Sequence, residues 1–346
     1  MGMFSAQASS EISAVDLFCG IGGLTHGLAQ SGISVRAGID TDESCQYAYE
    51  TNNPEAQFVA ADICDMTGSD IESHLADAAV SVLVGCAPCQ PFSSHNRKLR
   101  KVADCSLVGE FARLVEEARP DFVSMENVPG LAKHTAFSDF LTTLERLGYQ
   151  HDEAVVSCAD YGVPQTRKRL VLLASRLGPI QILQGGGRRC TVRDFINDLP
   201  SIEDGETHPD DPAHVAMALS DLNRQRIQQS RPGGTWLDWD ESLLSACHRD
   251  SYYPAPYGRM RWDDAAPTIT TQFCYYSTGR FGHPEQDRAI SVREGALLQT
   301  FPVNYEFFKG GEAGSVRDAA RQIGNAVPVR LAEAIGESIL EACNAR

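Results

Sequence analysis

The chain has 346 residues, 42% hydrophobic and 22% charged, the balance of a soluble globular protein long enough for one large core and a smaller added lobe. Aliphatic runs such as VSVLVG are far too short to span a bilayer, and a formal net charge of −16 excludes indiscriminate binding to nucleic acid, because phosphate affinity comes from lysine and arginine. Eleven cysteines are an odd number, scattered through apolar segments, which predicts reduced thiols in the cytoplasm instead of a disulfide framework.

Residues 1–11 carry no basic stretch, apolar core or small-residue cleavage site and read as a flexible tail. From 12 to 175 one rhythm repeats: a β-branched apolar run, a turn, then an amphipathic segment. Strands are expected at ISAVDLF, ISVRAGID, QFVAADI, VSVLVG, DFVSMEN, DEAVVSC and RLVLLAS, with helices near 23–31, 42–52, 106–118 and 135–147. This predicts an α/β fold: a mostly parallel, Rossmann-like sheet with helices on both faces and its functional residues at the C-terminal strand ends. Between 176 and 288 glycine, proline and polar stretches predict a smaller irregular domain. Helical spacing returns over 289–346, where Val329, Leu331, Ala334, Ile335, Ile339 and Leu340 form an apolar stripe that completes the main core.

The segment VDLFCGIGGLTHGL joins a strand to a helix through Gly20, Gly22 and Gly23, the construction of a nucleotide-binding turn. Thr25 stands where the third glycine of a dinucleotide fingerprint belongs. Asp40 ends the second strand, where a carboxylate accepts hydrogen bonds from ribose hydroxyls, and Asp62 with Ile63 ends the third, suited to an adenine. Each acid taken singly also reads as a helix cap. The set predicts S-adenosylmethionine as much as a nicotinamide cofactor.

In GCAPCQPFSS, Cys86 and Cys89 have the spacing of a redox or zinc pair. No second close pair completes a zinc site, and the surrounding rhythm is not that of a small redox fold. Cys89 falls just past a strand end, its thiol exposed by flanking prolines, whereas Cys86 reads as a small buried hydrophobe. Glu126 ends the next strand within reach of the same cleft as an acid or a turn cap. Arg167 and Arg169, two apart, point the same way and read as an anion clamp or a solvated patch. Basic islands at 95–101, 165–169 and 186–193 interrupt the acidic chain.

Taken in order, DLFCGIGGL, Asp40, ADI, PCQPFS, ENV, QTRKR and RQIGNAVP make the chain resemble the DNA (cytosine-5)-methyltransferases of bacteria and phage over residues 14–343. The resemblance implies that Cys89 is the nucleophile, Glu126 contacts ring nitrogen 3 of the target cytosine, and Arg167 and Arg169 hold the base and its loop. Phe18, Gly20, Gly22, Gly23, Asp40, Asp62, Ile63, Pro88 and Asn325 would hold S-adenosyl-L-methionine. Gln90, Ser93, Arg97, Lys98 and Gln165 would meet double-stranded DNA, and 176–288 would be the target-recognition domain of an enzyme acting as a monomer, with no metal or membrane, alongside a restriction endonuclease. Carbon 5 of cytosine is a poor nucleophile, so a thiolate adding at carbon 6 and a proton at nitrogen 3 are what the reaction needs, on a base flipped from the duplex. A transfer-RNA methyltransferase of the same architecture, a non-catalytic DNA-binding protein and an oxidoreductase are the competing readings.

Overall fold

Seven apolar runs become seven strands of one sheet. The computed structural model describes residues 12–88, 105–245, 248, 256–311 and 314–345. Its main strands are β1 (Ile12–Leu17), β2 (Ser34–Asp40), β3 (Gln57–Ala60), β4 (Val80–Gly85), β5 (Phe122–Asn127), β6 (Gln150–Ser157) and β7 (Lys168–Ser175), in the order β3-β2-β1-β4-β5-β7-β6. β1 to β5 run parallel, and β7 lies antiparallel between β5 and β6. The chain reverses direction across the sheet between β1 and β4, which opens a crevice at their C-terminal ends.

Successive residues of a strand face opposite sides, so each strand feeds two cores. Val15, Leu17, Leu83, Val123 and Met125 pack under α3 (Gly68–Leu75), α4 (Cys105–Ala118) and α5 (Thr135–Arg146). Ala14, Val35, Val82 and Val84 face the other side, under α1 (Gly23–Ser31), α2 (Gln46–Asn52) and the C-terminal helices. Burial on both faces is why these strands read as unbroken aliphatic runs. The expected helix at 42–52 begins as a 3-10 turn, Glu43–Cys45, before α2. The short helix α3 was not expected. It has only Ile71 and Leu75 as large apolar anchors and is set by a capping box between Thr67 and Asp70.

The region after β7 is irregular, as its composition predicts. It contains α6 (Arg193–Ile196), the hairpin β8 (Thr207–His208) and β9 (Asp211–Val215), and α7 (Asp221–Gln229). Ile227, Trp236, Trp239, Leu243 and Tyr276 form a small cluster of their own. The chain then returns through α8 (Val292–Leu298), α9 (Val316–Asn325) and α10 (Val329–Asn344). The apolar stripe of α10 lies against α1, and two glycines permit the close crossing: a Cβ on Gly27 would overlap Val329 and Ala332, and one on Gly336 would overlap Ser31. The unexpected α9 buries Ala319, Ala320, Ile323 and Gly324; with Val316 its apolar residues stand at helical spacing on one face, a period present in the sequence but passed over. No helix among the described residues is long and apolar enough to cross a membrane.

Candidate active site

The turn after β1 is conformationally costly. Phe18 takes φ 59°, Gly20 φ 51° and Gly22 φ 84°, and the left-handed Phe18 alone carries about 1–3 kcal/mol of strain, of the kind found at ligand sites. Gly22 is the N-cap of α1 and brings no side-chain cap to the helix, so its first N–H groups are served by no capping side chain. Gly20 donates its backbone N–H to Asp40 Oδ2 at 2.8 Å, and Asp42 donates its own to Oδ1 at 2.9 Å. Asp40 is thereby fixed beside the glycine turn, and the capping role falls to its neighbour: Asp42 caps the 3-10 turn at Glu43. Asp62 is exposed and caps the turn Ile63–Asp65 through Cys64 N at 2.9 Å, while Ile63 is buried in the core cluster against which Phe18 also packs. A Cβ on Gly23 would overlap the backbone of Val327, so the first turn of α1 leans on the loop that follows Asn325, itself exposed at the end of α9.

Sequence reasoning missed Asp16, the acid within β1. It is 1% exposed, accepts a hydrogen bond from Thr25 Oγ1 at 2.7 Å, and its Oδ1 has no partner among the described residues. Burial pushes its carboxyl up to about 7, with the Thr25 hydrogen bond opposing and the charge of Asp40 adding to the rise. Thr25 also bonds Tyr49 at 3.0 Å. The residue that breaks the glycine fingerprint is therefore a hydroxyl serving a buried acid. The signal was an aspartate inside an otherwise apolar strand. An acceptor without a partner beside a glycine turn and a fixed carboxylate suits a cationic nucleoside such as S-adenosylmethionine better than a dinucleotide pyrophosphate.

The second half of the crevice lies at the ends of β4 and β5. Glu126 and Asn127 are 2% and 1% exposed. Glu126 Oε1 stands 2.7 Å from Arg169 Nε on β7, and its Oε2 accepts a hydrogen bond from the Cys86 thiol at 2.8 Å. Cys86 is half-buried, and its sulfur is a donor to the acid, a correction to its reading as an apolar filler. Asn127 donates to Ala87 O at 3.0 Å, which pins the start of the loop to β5, and Pro88 beyond it is exposed. Cys89, Gln90, Ser93, Arg97 and Lys98 lie outside the described residues.

The two arginines part company. Arg169 reaches Glu126, whereas Arg167 is 2% exposed and donates to the carbonyls of Ile269 at 2.9 Å and Gly324 at 3.2 Å. Gln165, expected at the DNA, is fully buried. Its amide donates to Leu298 O at 2.6 Å and Gln299 Oε1 at 2.8 Å and accepts from Ile269 N at 2.9 Å, which leaves it fastening the segment around Ile269. Gln299, a residue not singled out in the sequence, in turn donates to Ile323 O and Ala326 O. In the lobe, Trp236 and Trp239 are buried, Arg259 is internal, and Arg231 and Arg261 remain largely exposed.

Comparison with known proteins agrees with this arrangement. The family model for C-5 cytosine-specific DNA methylase matches residues 12–341. The Type II methylase M.HgiDII of Herpetosiphon aurantiacus is 48% identical over 336 residues, 94% of each chain. The Type II methyltransferase M1.HphI of Haemophilus parahaemolyticus is 30% identical over 95% of this chain and 87% of its own length. Among solved structures, a prophage-encoded E. coli protein described as a DNA modification methyltransferase shares the fold with a TM-score of 0.76 at 22% identity, over 96% of this chain and all of its own. The S. pombe Dnmt2 methyltransferase does so with a TM-score of 0.67 at 16% identity, over 96% and 99%.

Proposed function

The chain belongs to the C-5 cytosine-specific DNA methylases, and from that premise we propose that it methylates carbon 5 of a cytosine flipped out of a specific sequence of double-stranded DNA, through a covalent bond from Cys89 to carbon 6. The observation that carries this reading is the placement of Glu126, buried at the end of β5 between Arg169 and Cys86, on the strand next to the one that leads into Cys89. S-adenosylmethionine, when bound, supplies an electrophilic sulfonium methyl group.

This chain's residues do the rest. Phe18, Gly20, Gly22, Gly23, Asp40, Asp62, Ile63, Pro88 and Asn325 line the crevice for the nucleoside, with Asp40 already oriented by two backbone N–H groups. The Cys89 thiolate forms a bond to carbon 6, and the electron pair of the 5,6 double bond moves toward nitrogen 3, where Glu126 delivers a proton. Arg169 places a positive charge beside Glu126 and the ring. Carbon 5 is then nucleophilic and takes the methyl group; loss of its proton restores the double bond and expels Cys89 as thiolate. Arg167 and Gln165 act one layer back, by fixing the backbone around Ile269 and Gly324. Gln90, Ser93, Arg97 and Lys98 meet the DNA, and 176–288 reads its sequence from a catalytic domain made of 12–175 and 289–346. The similarity to Type II methylases supports an enzyme of a restriction-modification pair.

Tritiated methyl groups from S-adenosylmethionine are expected to enter duplex DNA, and Cys89→Ser to lower incorporation by at least about 10⁴-fold, as befits a covalent nucleophile. Incorporation near the wild-type level by the serine protein overturns the mechanism. Bisulfite sequencing of DNA from expressing cells reads the target base and its context in one measurement.

A further inference from the structure

We propose that Cys86 is a positioning residue for Glu126, a role that rests on reading Glu126 as the group acting at ring nitrogen 3. β4 and β5 are parallel neighbours with Gly85 level with Met125, so the residues one step on, Cys86 and Glu126, emerge side by side at the sheet's C-terminal edge. The thiol donates to Oε2 at 2.8 Å. Arg169 Nε stands 2.7 Å from Oε1, yet Oε1 receives no aligned hydrogen bond. Among the described residues, the Cys86 thiol thus makes the one aligned hydrogen bond to the Glu126 carboxyl.

That division of labour matters because the terminal torsion of a glutamate is broad and roughly two-fold. A cation near one oxygen attracts the group without choosing its rotation, since Coulomb attraction is weakly directional. A donor on the other oxygen chooses it. With Oε2 held by the thiol, Oε1 is the oxygen left to carry the proton toward the base, and the orientation is set before the substrate arrives. A thiol is a weak donor, but the carboxyl it serves is buried, where hydrogen bonds gain strength from the low dielectric. Cys86 is therefore neither half of a redox pair nor packing alone; it sets the angle of the acid three residues before the nucleophile.

The test is single-turnover methylation of duplex DNA carrying the mapped site, with Cys86→Ala, Cys86→Ser, Glu126→Gln and the Cys86→Ala/Glu126→Gln double variant, each with its melting temperature. Loss of the donor is expected to slow Cys86→Ala about tenfold, the worth of one hydrogen bond in the transition state, with KM for DNA unchanged. Cys86→Ser keeps an O–H donor and is expected to recover most of the rate. In the Glu126→Gln background, Cys86→Ala is expected to cost little more, because the two residues act as one unit. A wild-type rate for Cys86→Ala, a serine variant as slow as the alanine one, or full additivity in the double variant overturns the proposal. A wild-type rate for Glu126→Gln instead removes the underlying reading of the acid, and the role of Cys86 with it.

Discussion

The two parts of the molecule are held together by opposite means. In the sheet, backbone groups satisfy one another in the ladder and apolar side chains fill both faces, so polar side chains collect at the strand ends, where Asp40 and Glu126 stand. Between 176 and 288 there is little ladder, and buried carbonyls need other donors. Arginines supply them. Arg259 donates to the carbonyls of Ile227, Ser230, His283 and Gln286 and to Asp287, from a site 4% exposed. Arg226 donates to Leu243 O and stacks its guanidinium over Trp239 and Tyr257 at 5.0 and 5.2 Å. Arg226, Arg259 and Arg288 are thus internal braces among arginines that are otherwise largely exposed, and basic composition alone does not tell the two kinds apart.

That contrast can be broken most forcefully at Arg259. Arg259→Ala strands several buried carbonyls and an aspartate, and is expected to cost about 3–5 kcal/mol, seen as a lowered melting temperature and preferential proteolysis within 176–288. Arg259→Lys is expected to rescue little, because an ammonium cannot span so many acceptors. A melting temperature within a degree of the wild type for Arg259→Ala removes the brace.

The sheet's own weak point is Asp16. Its folded carboxyl titrates near 7 against an ordinary value of 3.8, so the folded state binds the extra proton between about pH 4 and pH 7. Stability therefore falls as pH rises through that window and stays depressed above it. Asp16→Asn keeps an acceptor for Thr25 and removes the charge. At pH 8 it is expected to be more stable than the wild type by up to about 4 kcal/mol, and at pH 4 nearly equal. Parallel stability–pH curves for the two proteins refute the assignment. At the other extreme, Arg231 is 78% exposed and pairs with Asp238. Arg231→Ala is expected to change stability by less than about 0.5 kcal/mol, a contrast with Arg259 that a pair of melting curves resolves.

The sheet was legible in the sequence because double-sided burial writes itself as continuous aliphatic runs. Strand-end residues such as Asp40 and Glu126 were legible for the same reason: each is a polar residue closing such a run. The short helix α3 offered only Ile71 and Leu75 as anchors, whereas α9 had a helical period in Val316, Ala319, Ala320 and Ile323 that its small side chains made easy to pass over. The partners of Gln165 and Arg167 were illegible in another way, since the carbonyls they reach lie 102 to 159 positions further on in the chain and backbone acceptors carry no residue identity. Cys86 was read as an apolar filler because it follows an aliphatic strand along the chain, whereas its partner Glu126 comes from the adjacent strand.

The leaning of Gly23 on Val327, and of Gly27 on Ala332, has a consequence for biosynthesis. The glycine turn is among the first parts of the domain to leave the ribosome, and the surface it rests against is among the last. Domains emerge from their N-terminal side during translation, so α1 waits uncovered until α10 has been made. A chain grown only as far as Arg169 therefore lacks the wall behind the glycine turn, and the crevice there is complete only once Val327 and Ala332 are in place.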